Sequence, residues 1–441
     1  MTTRARRERR PPEGCSMLRA LNDVWALFIG IALFMLGNGL QGTLLGLRAS
    51  MEGFGTAVTG VVMSGYFIGL LAGSLLTPVL IARVGHIRVF AAYASVASTM
   101  FLLFVVFIDP IVWFVMRIMT GTCLAGLYVV SESWLNHTAT NETRGKVLSV
   151  YMIVAFAAFG LGQLLLNLSD PGGFVLFIVV SALVSLALVP VSLANISAPP
   201  VQAPRSVSIA DIYRTSPLAV VACFANGIAQ GAFFGMGAVY ASLLGLSFAK
   251  ISILMSLPIL GVVFAQYPVG WLSDLFDRRT VMMVMAFVTA AAGVACLFAP
   301  AISFLALAVA FTVFGALSLP LYSLAIAHAN DHLDHDQMLG ASATLVLIYG
   351  LGSSFGPIMV GAAMRETGPD GFFVYMIAVY AALGAFAAYR MVRRPSVPGA
   401  DQGEFVLMAP RATAVAAAAI AEDWDDGSPR PGAAGDGAPD P

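Results

Sequence analysis

Charge is scarce in this sequence. Asp, Glu, Lys and Arg make up 11% of its 441 residues, where soluble domains carry about a quarter. The formal balance is -1, and without a basic surplus nucleic acid is excluded as a partner. Cysteine is nearly absent: Cys15, Cys123, Cys223 and Cys296 lie far apart and form no CxxC pair, so they imply neither a disulfide framework nor a zinc site. Three of them fall in apolar runs, where a thiol serves as a small hydrophobe. No glycine-rich phosphate loop ending in Lys and Ser or Thr is present, so ATP does not drive this protein directly. No nucleophile–base or metal-ligand spacing points to an enzyme, and no cofactor is called for.

What is abundant is apolar chain: 59% of the residues are hydrophobic and the mean hydropathy is +0.86. Twelve stretches reach the roughly 20 residues that cross a bilayer. They fall near 25–47, 56–80, 87–108, 111–131, 147–168, 172–194, 218–245, 251–272, 280–299, 302–325, 338–364 and 371–391. The expected fold is an all-α integral membrane protein of twelve transmembrane helices in two six-helix halves. The first stretch is too long for a signal-peptide core and lacks a small-x-small cleavage site, so it is a retained helix. An Arg-rich amino-terminal tail is expected over 1–24 and a first bundle over 25–194. A Pro- and Ser-rich linker over 195–217 leads to a second bundle over 218–392. Residues 393–441 read as a Pro/Gly/Ala/Asp tail that cannot bury a core.

With the amino terminus inside, all but four of the 23 basic residues fall on cytoplasmic segments, the four being Arg48, Arg117, Lys250 and Arg365. That asymmetry places both termini in the cytoplasm, in the cell's inner membrane.

The two sixes repeat each other. Asn38-Gly39 pairs with Asn226-Gly227 at an offset of 188, and Gln41-Gly42 with Gln230-Gly231 at 189. Met63-Ser64 pairs with Met255-Ser256 at 192, and Gly121, Leu127-Tyr128 and Asn136 pair with Gly315, Leu321-Tyr322 and Asn330 at 194. Parallel halves with a binding site between them are a transporter plan. Each amide pair lies on one helix face, three or four residues apart. Two uses fit such amides in hydrocarbon: gluing helices together, or lining a wet cavity that binds cargo. Gln163 is a further buried amide of this kind. Runs such as Gly227-Gly231-Gly235 read as close helix packing.

Arg117 lies about 9 Å into the fourth helix at 1.5 Å per residue, where an unpaired charge costs roughly 2.5 kcal/mol or more. It either pairs within the protein or snorkels to the headgroups. Arg117, Gly121, Leu124, Tyr128 and Glu132 share one helix face. Tyr128 and its mate Tyr322 either offer rings and hydroxyls to substrate or simply pack. Glu132 ends the fourth helix, and His328 with Asp331 ends the tenth. A carboxylate and an imidazole at one gate can trade a proton, or both can be solvated helix ends. The run "HANDHLDHDQ" (328–337) also has metal-ligating residue types, but a polar loop needs no such explanation and no metal site is expected.

The loop "PVLIARVGHIR" and its counterpart "GWLSDLFDRR" together resemble the signature loop of the major facilitator superfamily, Gly-x-x-x-Asp-Arg/Lys-x-Gly-Arg/Lys-Arg/Lys. The first keeps Arg83, Gly85 and Arg88 but has Ala82 in the Asp place; the second keeps Gly270, Asp274, Arg278 and Arg279. In the family this loop latches the cytoplasmic side through its Asp, which implies a latch at Asp274, with Arg83 in the weaker copy. "YFIGLLAGSLLT" (66–77), "ESWLN" (132–136), "TRGKVLSVYM" (143–152), "HAND" (328–331) and "YGLGSSFGP" (349–357) resemble the YcaD-type branch. The resemblance covers roughly residues 20 to 392. It implies that helices one, four, seven and ten line the cavity. It also sets Arg117 in the place of a fourth-helix Arg tied to proton coupling, with Thr120 where the family has Gln. The Gly-x-x-x-Gly-Pro of antiporters appears in helix eleven rather than helix five, so an antiport mechanism is not implied.

The expected function is secondary active transport of a small molecule by alternating access, proton-coupled and leaning to efflux, in a monomer. The expected substrate-binding residues are Asn38, Gln41, Arg117, Tyr128, Gln163, Asn226, Gln230 and Tyr322; the expected gate or proton path is Glu132, His328, Asp331, Arg83 and Asp274. Arg117 suits an anionic or amphipathic cargo. The alternative is a non-transporting assembly factor or receptor on the same fold, whose tails dock a partner protein or which holds a pigment or lipid.

Overall fold

The computed structural model describes residues 13–138, 144–193, 208–333 and 335–393, and every element in them is helical. The first half comprises α1 (Glu13–Met51), α2 (Thr56–Val84), α3 (His86–Val106), α4 (Pro110–Thr138), α5 (Arg144–Leu164) and α6 (Val175–Leu186, resumed over Leu188–Leu193). After a short helix (Ile209–Thr215), the second half comprises α7 (Pro217–Leu243), α8 (Phe248–Leu275), α9 (Arg278–Ile302), α10 (Phe304–Ser318, resumed over Leu321–Asn330), α11 (His335–Thr367) and α12 (Gly371–Arg393). The first helix starts earlier than the composition suggests: residues 13–24, read as tail, continue α1. The remainder of that tail (1–12), residue 194 with much of the linker (195–207), and the carboxy-terminal tail from 394 onward lie outside the described residues.

Lipid-facing surface follows from what is left exposed. Ile111, Leu193, Phe264, Tyr267 and Val392 are each at least 75% exposed, which suits hydrocarbon and would be costly in water. Within each half the same pairs touch: α1 packs on α5, α2 on α4 and α3 on α6, as α7 packs on α11, α8 on α10 and α9 on α12. Glycine permits the closest of these. A Cβ on Gly39 would collide with the Phe159 carbonyl, and one on Gly162 with the Leu36 carbonyl. The repeat reproduces both, with Gly227 against Tyr349 and Gly352 against Phe224. The duplication read from spacing is thus a duplication of backbone contacts.

Between the halves, α2 meets α11 and α5 meets α8. These contacts gather at the membrane face away from the termini. Thr56 Oγ1 donates to the Gly361 carbonyl at 3.0 Å, Asn167 Nδ2 to Ser252 Oγ at 2.8 Å, and Ser256 Oγ to the Gly160 carbonyl at 2.8 Å. Gly60 lies against Pro357 and Gly361, too close for any side chain at 60. The halves are therefore clasped on the far face.

Candidate functional site

The amides of α1 sit in one continuous polar network. Asn38 Nδ2 donates to Tyr128 Oη at 2.7 Å, while Asn38 Oδ1 accepts from Gln41 Nε2 at 3.0 Å and Tyr66 Oη at 3.2 Å. Gln41 Oε1 accepts from Arg117 Nη1 at 2.6 Å. The Arg117 guanidinium lies 4.6 Å from the centroid of the Tyr66 ring, a cation–π distance. Arg117 is only 2% exposed; it turns inward to α1 and α2 rather than out to headgroups. Helical spacing brings this about. Asn38 and Gln41 are one turn apart, so α1 presents both to α4, whose own register sets Arg117 and Tyr128 three turns apart on the facing side.

This network forms one wall of a small cavity between the halves, with a volume of about 10 Å³, roughly the room of a single water. Thr43, hydrogen-bonded to Gln163, completes the polar wall. The rest of the described side-chain lining includes the apolar Phe67, Phe159, Phe234 and Met255. Phe159 of the first half and Phe234 of the second meet edge to face at 5.6 Å.

Four of the expected binding residues, Asn38, Gln41, Arg117 and Gln163, line this cavity, and Tyr128 joins through Asn38. Their repeat mates do not. Asn226 Oδ1 accepts from Tyr380 at 3.3 Å and Gln230 Nε2 donates to Ser318 at 3.5 Å, both inside the second bundle. Tyr322 is fully buried against Tyr349, with ring centroids 4.6 Å apart. Asn226 Nδ2, Gln230 Oε1 and Tyr322 Oη have no hydrogen-bond partner among the described residues.

The expected gate residues fall into separate clusters. Glu132 is fully buried and accepts a 2.8 Å bond from Tyr151 Oη. The His328 ring stands 4.7 Å from that of His332. Asp331 pairs with Arg278 Nη1 at 2.6 Å, both side chains at most 2% exposed. Asp274, where the latch was expected, is a looser partner of the same arginine at 3.6 Å and is half exposed. Arg278 Nη1 also donates to the Ala327 carbonyl at 3.1 Å. Arg83 is exposed at the end of α2. In the loop beside Arg278, burial alone would raise the Asp277 carboxyl, but hydrogen bonds from the Arg279 side chain and backbone outweigh it and hold it below the usual carboxylate range. The His335 side chain, part of the metal reading, falls outside the described residues.

Sequence reasoning missed Tyr66, Thr43 and Tyr151. Tyr66 and Tyr151 stood inside branch motifs but carried no role, because an aromatic in an apolar run announces packing rather than a partner. Thr43 is two residues past Gln41 and off its helix face, so no spacing rule pointed to it.

The description "Major Facilitator Superfamily" fits a family model that matches residues 27–252 and again 219–422. The chain belongs to the major facilitator superfamily. It is 29% identical over 377 residues to the uncharacterized MFS-type transporter YcaD of Escherichia fergusonii, a match covering 85% of this chain and 97% of that one. YcaD of Escherichia coli O9:H4 is 30% identical over 365 residues, covering 81% and 92%. Among solved structures, the nucleoside transporter NupG superposes with a TM-score of 0.71 at 16% identity, over 85% of this chain and all of that one. An auto-inhibited POT family peptide transporter superposes with a TM-score of 0.69 at 12% identity, over 88% and 99%. At such identity these two establish the fold alone. The protein is a multi-pass membrane protein of a transporter family.

Proposed function

We propose that this protein is a proton-driven secondary transporter of the cytoplasmic membrane, its termini inside, that carries a small molecule through the interface between its halves. The observation that carries this is the Arg117–Gln41–Asn38–Tyr128 network. It puts a guanidinium and a string of amides against a cavity between the two halves, deep in the membrane. A merely structural bundle gains little from a charge there. The far-face clasp corresponds to one end of alternating access, with the cargo reaching the cavity from the terminal side. Glu132 is the proposed proton carrier, because a buried carboxylate hydrogen-bonded to Tyr151 exchanges a proton when the terminal side opens. Placement of the termini inside rests on the basic residues of the terminal-side segments.

The test is reconstitution in proteoliposomes holding a pH-sensitive dye, with compounds added one class at a time under an imposed proton gradient. Compound-dependent proton movement, lost in Glu132→Gln, is expected, and the sign of the effective gradient gives the direction of transport. Unchanged, still proton-coupled flux in Glu132→Gln would remove the coupling role. No flux with any class, together with capture of a partner protein through residues 393–441, would replace transport with the receptor reading.

A further inference from the structure

The repeat supplies an internal control for Arg117. The offset of 194 that maps Gly121 onto Gly315 and Tyr128 onto Tyr322 maps Arg117 onto Phe311. The mapping holds in three dimensions. A Cβ on Gly121 would strike Tyr66 of α2, and one on Gly315 would strike Pro258 of α8, the residue equivalent to Tyr66 at the α2–α8 offset of 192. Phe311 is fully buried and packs against Phe233, 5.1 Å between centroids, and Phe373, 5.8 Å. The same helix–helix contact is therefore filled by hydrocarbon in one half and by a guanidinium in the other. Packing alone does not call for the charge.

Among the described residues that line the cavity, Arg117 is the one with a charged side-chain type. The polar wall is contributed by the first half, whereas the second half offers Phe234 and Met255. A ligand that fits both walls carries one negative group and an apolar or aromatic body. We propose that the cavity is the binding site for a small organic monoanion of that kind. Its acidic group is held by Arg117, with the amides of Gln41 and Gln163 and the Thr43 hydroxyl as neighbours, and its body lies against Phe67, Phe159 and Phe234. This inference rests on the transport reading for the site's location, and it adds the substrate class. The cavity now has room for about one water, so entry requires the Phe159–Phe234 contact to part. That contact joins the two halves, and on the transport reading it opens when they rock.

The experiment uses the full-length protein in detergent, with thermal shift and equilibrium binding of three isosteric probes: benzoate, benzamide and benzylamine. Phenylacetate and hexanoate extend the anion series. The expected result is stabilisation by the anions alone. Arg117→Gln should weaken them about 10- to 100-fold, the worth of a charge-assisted hydrogen bond or two, and Arg117→Lys should restore part of that. Gln41→Glu, which supplies an internal carboxylate beside Arg117, should abolish anion binding in a protein that still folds. Equal response to benzamide or benzylamine, anion binding unaffected by Gln41→Glu, or no response to any anion would overturn the proposal. Labelling of a Thr56→Cys variant from the far face reports separately whether the halves part. Parting without anion binding would sink the substrate class and leave transport standing; anion binding with the far face staying shut would keep the substrate class and sink alternating access.

Discussion

Arg117 Nη1 donates to Gln41 Oε1 at 2.6 Å, and the two side chains are each 2% exposed. Gln41 is the hinge of the network, because its other end donates to Asn38. Replacing Gln41 with Ala takes an acceptor from a buried charge and a donor from Asn38. A hydrogen bond to a charged group contributes about 1.5–3 kcal/mol, so Gln41→Ala should lower the melting temperature in detergent by several degrees. Gln41→Glu, which keeps the shape and pairs the guanidinium, should hold or raise it. A melting temperature indifferent to Gln41→Ala would show that the network is not rigid in the membrane protein.

Arg278 and Asp331 form a second buried pair, joining the start of α9 to the end of α10. Removing one partner of such a pair costs roughly 3–5 kcal/mol, while replacing both by apolar residues is often near neutral. Asp331→Ala should therefore lower thermal stability strongly, and Arg278→Met combined with Asp331→Leu should recover most of it. A fluorescence melting series on the single and double variants measures the recovery.

Gly39 and Gly227 occupy equivalent helix crossings where a Cβ would meet a backbone carbonyl. Backbone cannot swing aside as a side chain can, so overpacking of about 1–3 kcal/mol is expected for Gly39→Ala or Gly227→Ala. Each should reduce yield and melting temperature by a similar amount, because the two contacts match. Gly42, with open space around its Cβ, is the control: Gly42→Ala should leave both unchanged.

Asn167 and Ser252 meet across the halves at the far face, 2.8 Å apart at their polar atoms. A double Asn167→Cys, Ser252→Cys protein should cross-link under mild oxidation, and transport should stop until a reductant is added. Cys123, Cys223 and Cys296 are buried, so they should not compete, and Cys15 is replaced by Ser in the test protein. Cross-linking without loss of transport would mean that the far face does not open during the cycle.

Asp277 caps α9 and pairs with Arg279 at 2.8 Å. Its folded carboxyl titrates below the unfolded one, with burial opposing and the Arg279 contacts prevailing. The stabilisation is present above the ordinary carboxylate value and is lost as pH falls through the lower folded value. Asp277→Asn should thus lower the melting temperature at neutral pH and flatten its decline in acid.

By itself the amino-acid sequence determined the architecture. Lengths of apolar chain, drifting offsets between Asn38 and Asn226 or Tyr128 and Tyr322, and the split loop signature at Arg83 and Asp274 were enough for twelve helices in two related halves, since membrane spanning and duplication both leave one-dimensional traces. Arg117, Asn38 and Gln41 also stood out, because a polar side chain in a hydrophobic run is conspicuous. Only the tertiary structure decided which partners these groups meet. Spacing treats Asn38 and Asn226 as equals, yet one borders the cavity and the other faces Tyr380 within its own bundle. The difference lies in residues on other helices, Arg117 and Tyr66 in one half, Phe311 and Pro258 in the other, which share no local pattern with the amides. The partners of the expected gate residues were hidden for the same reason. Glu132 and His328 with Asp331 end matching helices of the two halves, and the structure sets Tyr151 beside Glu132, His332 beside His328 and Arg278 beside Asp331. Periodicity tells which face a side chain takes; the partner it meets there is set by how helices far apart in the chain pack.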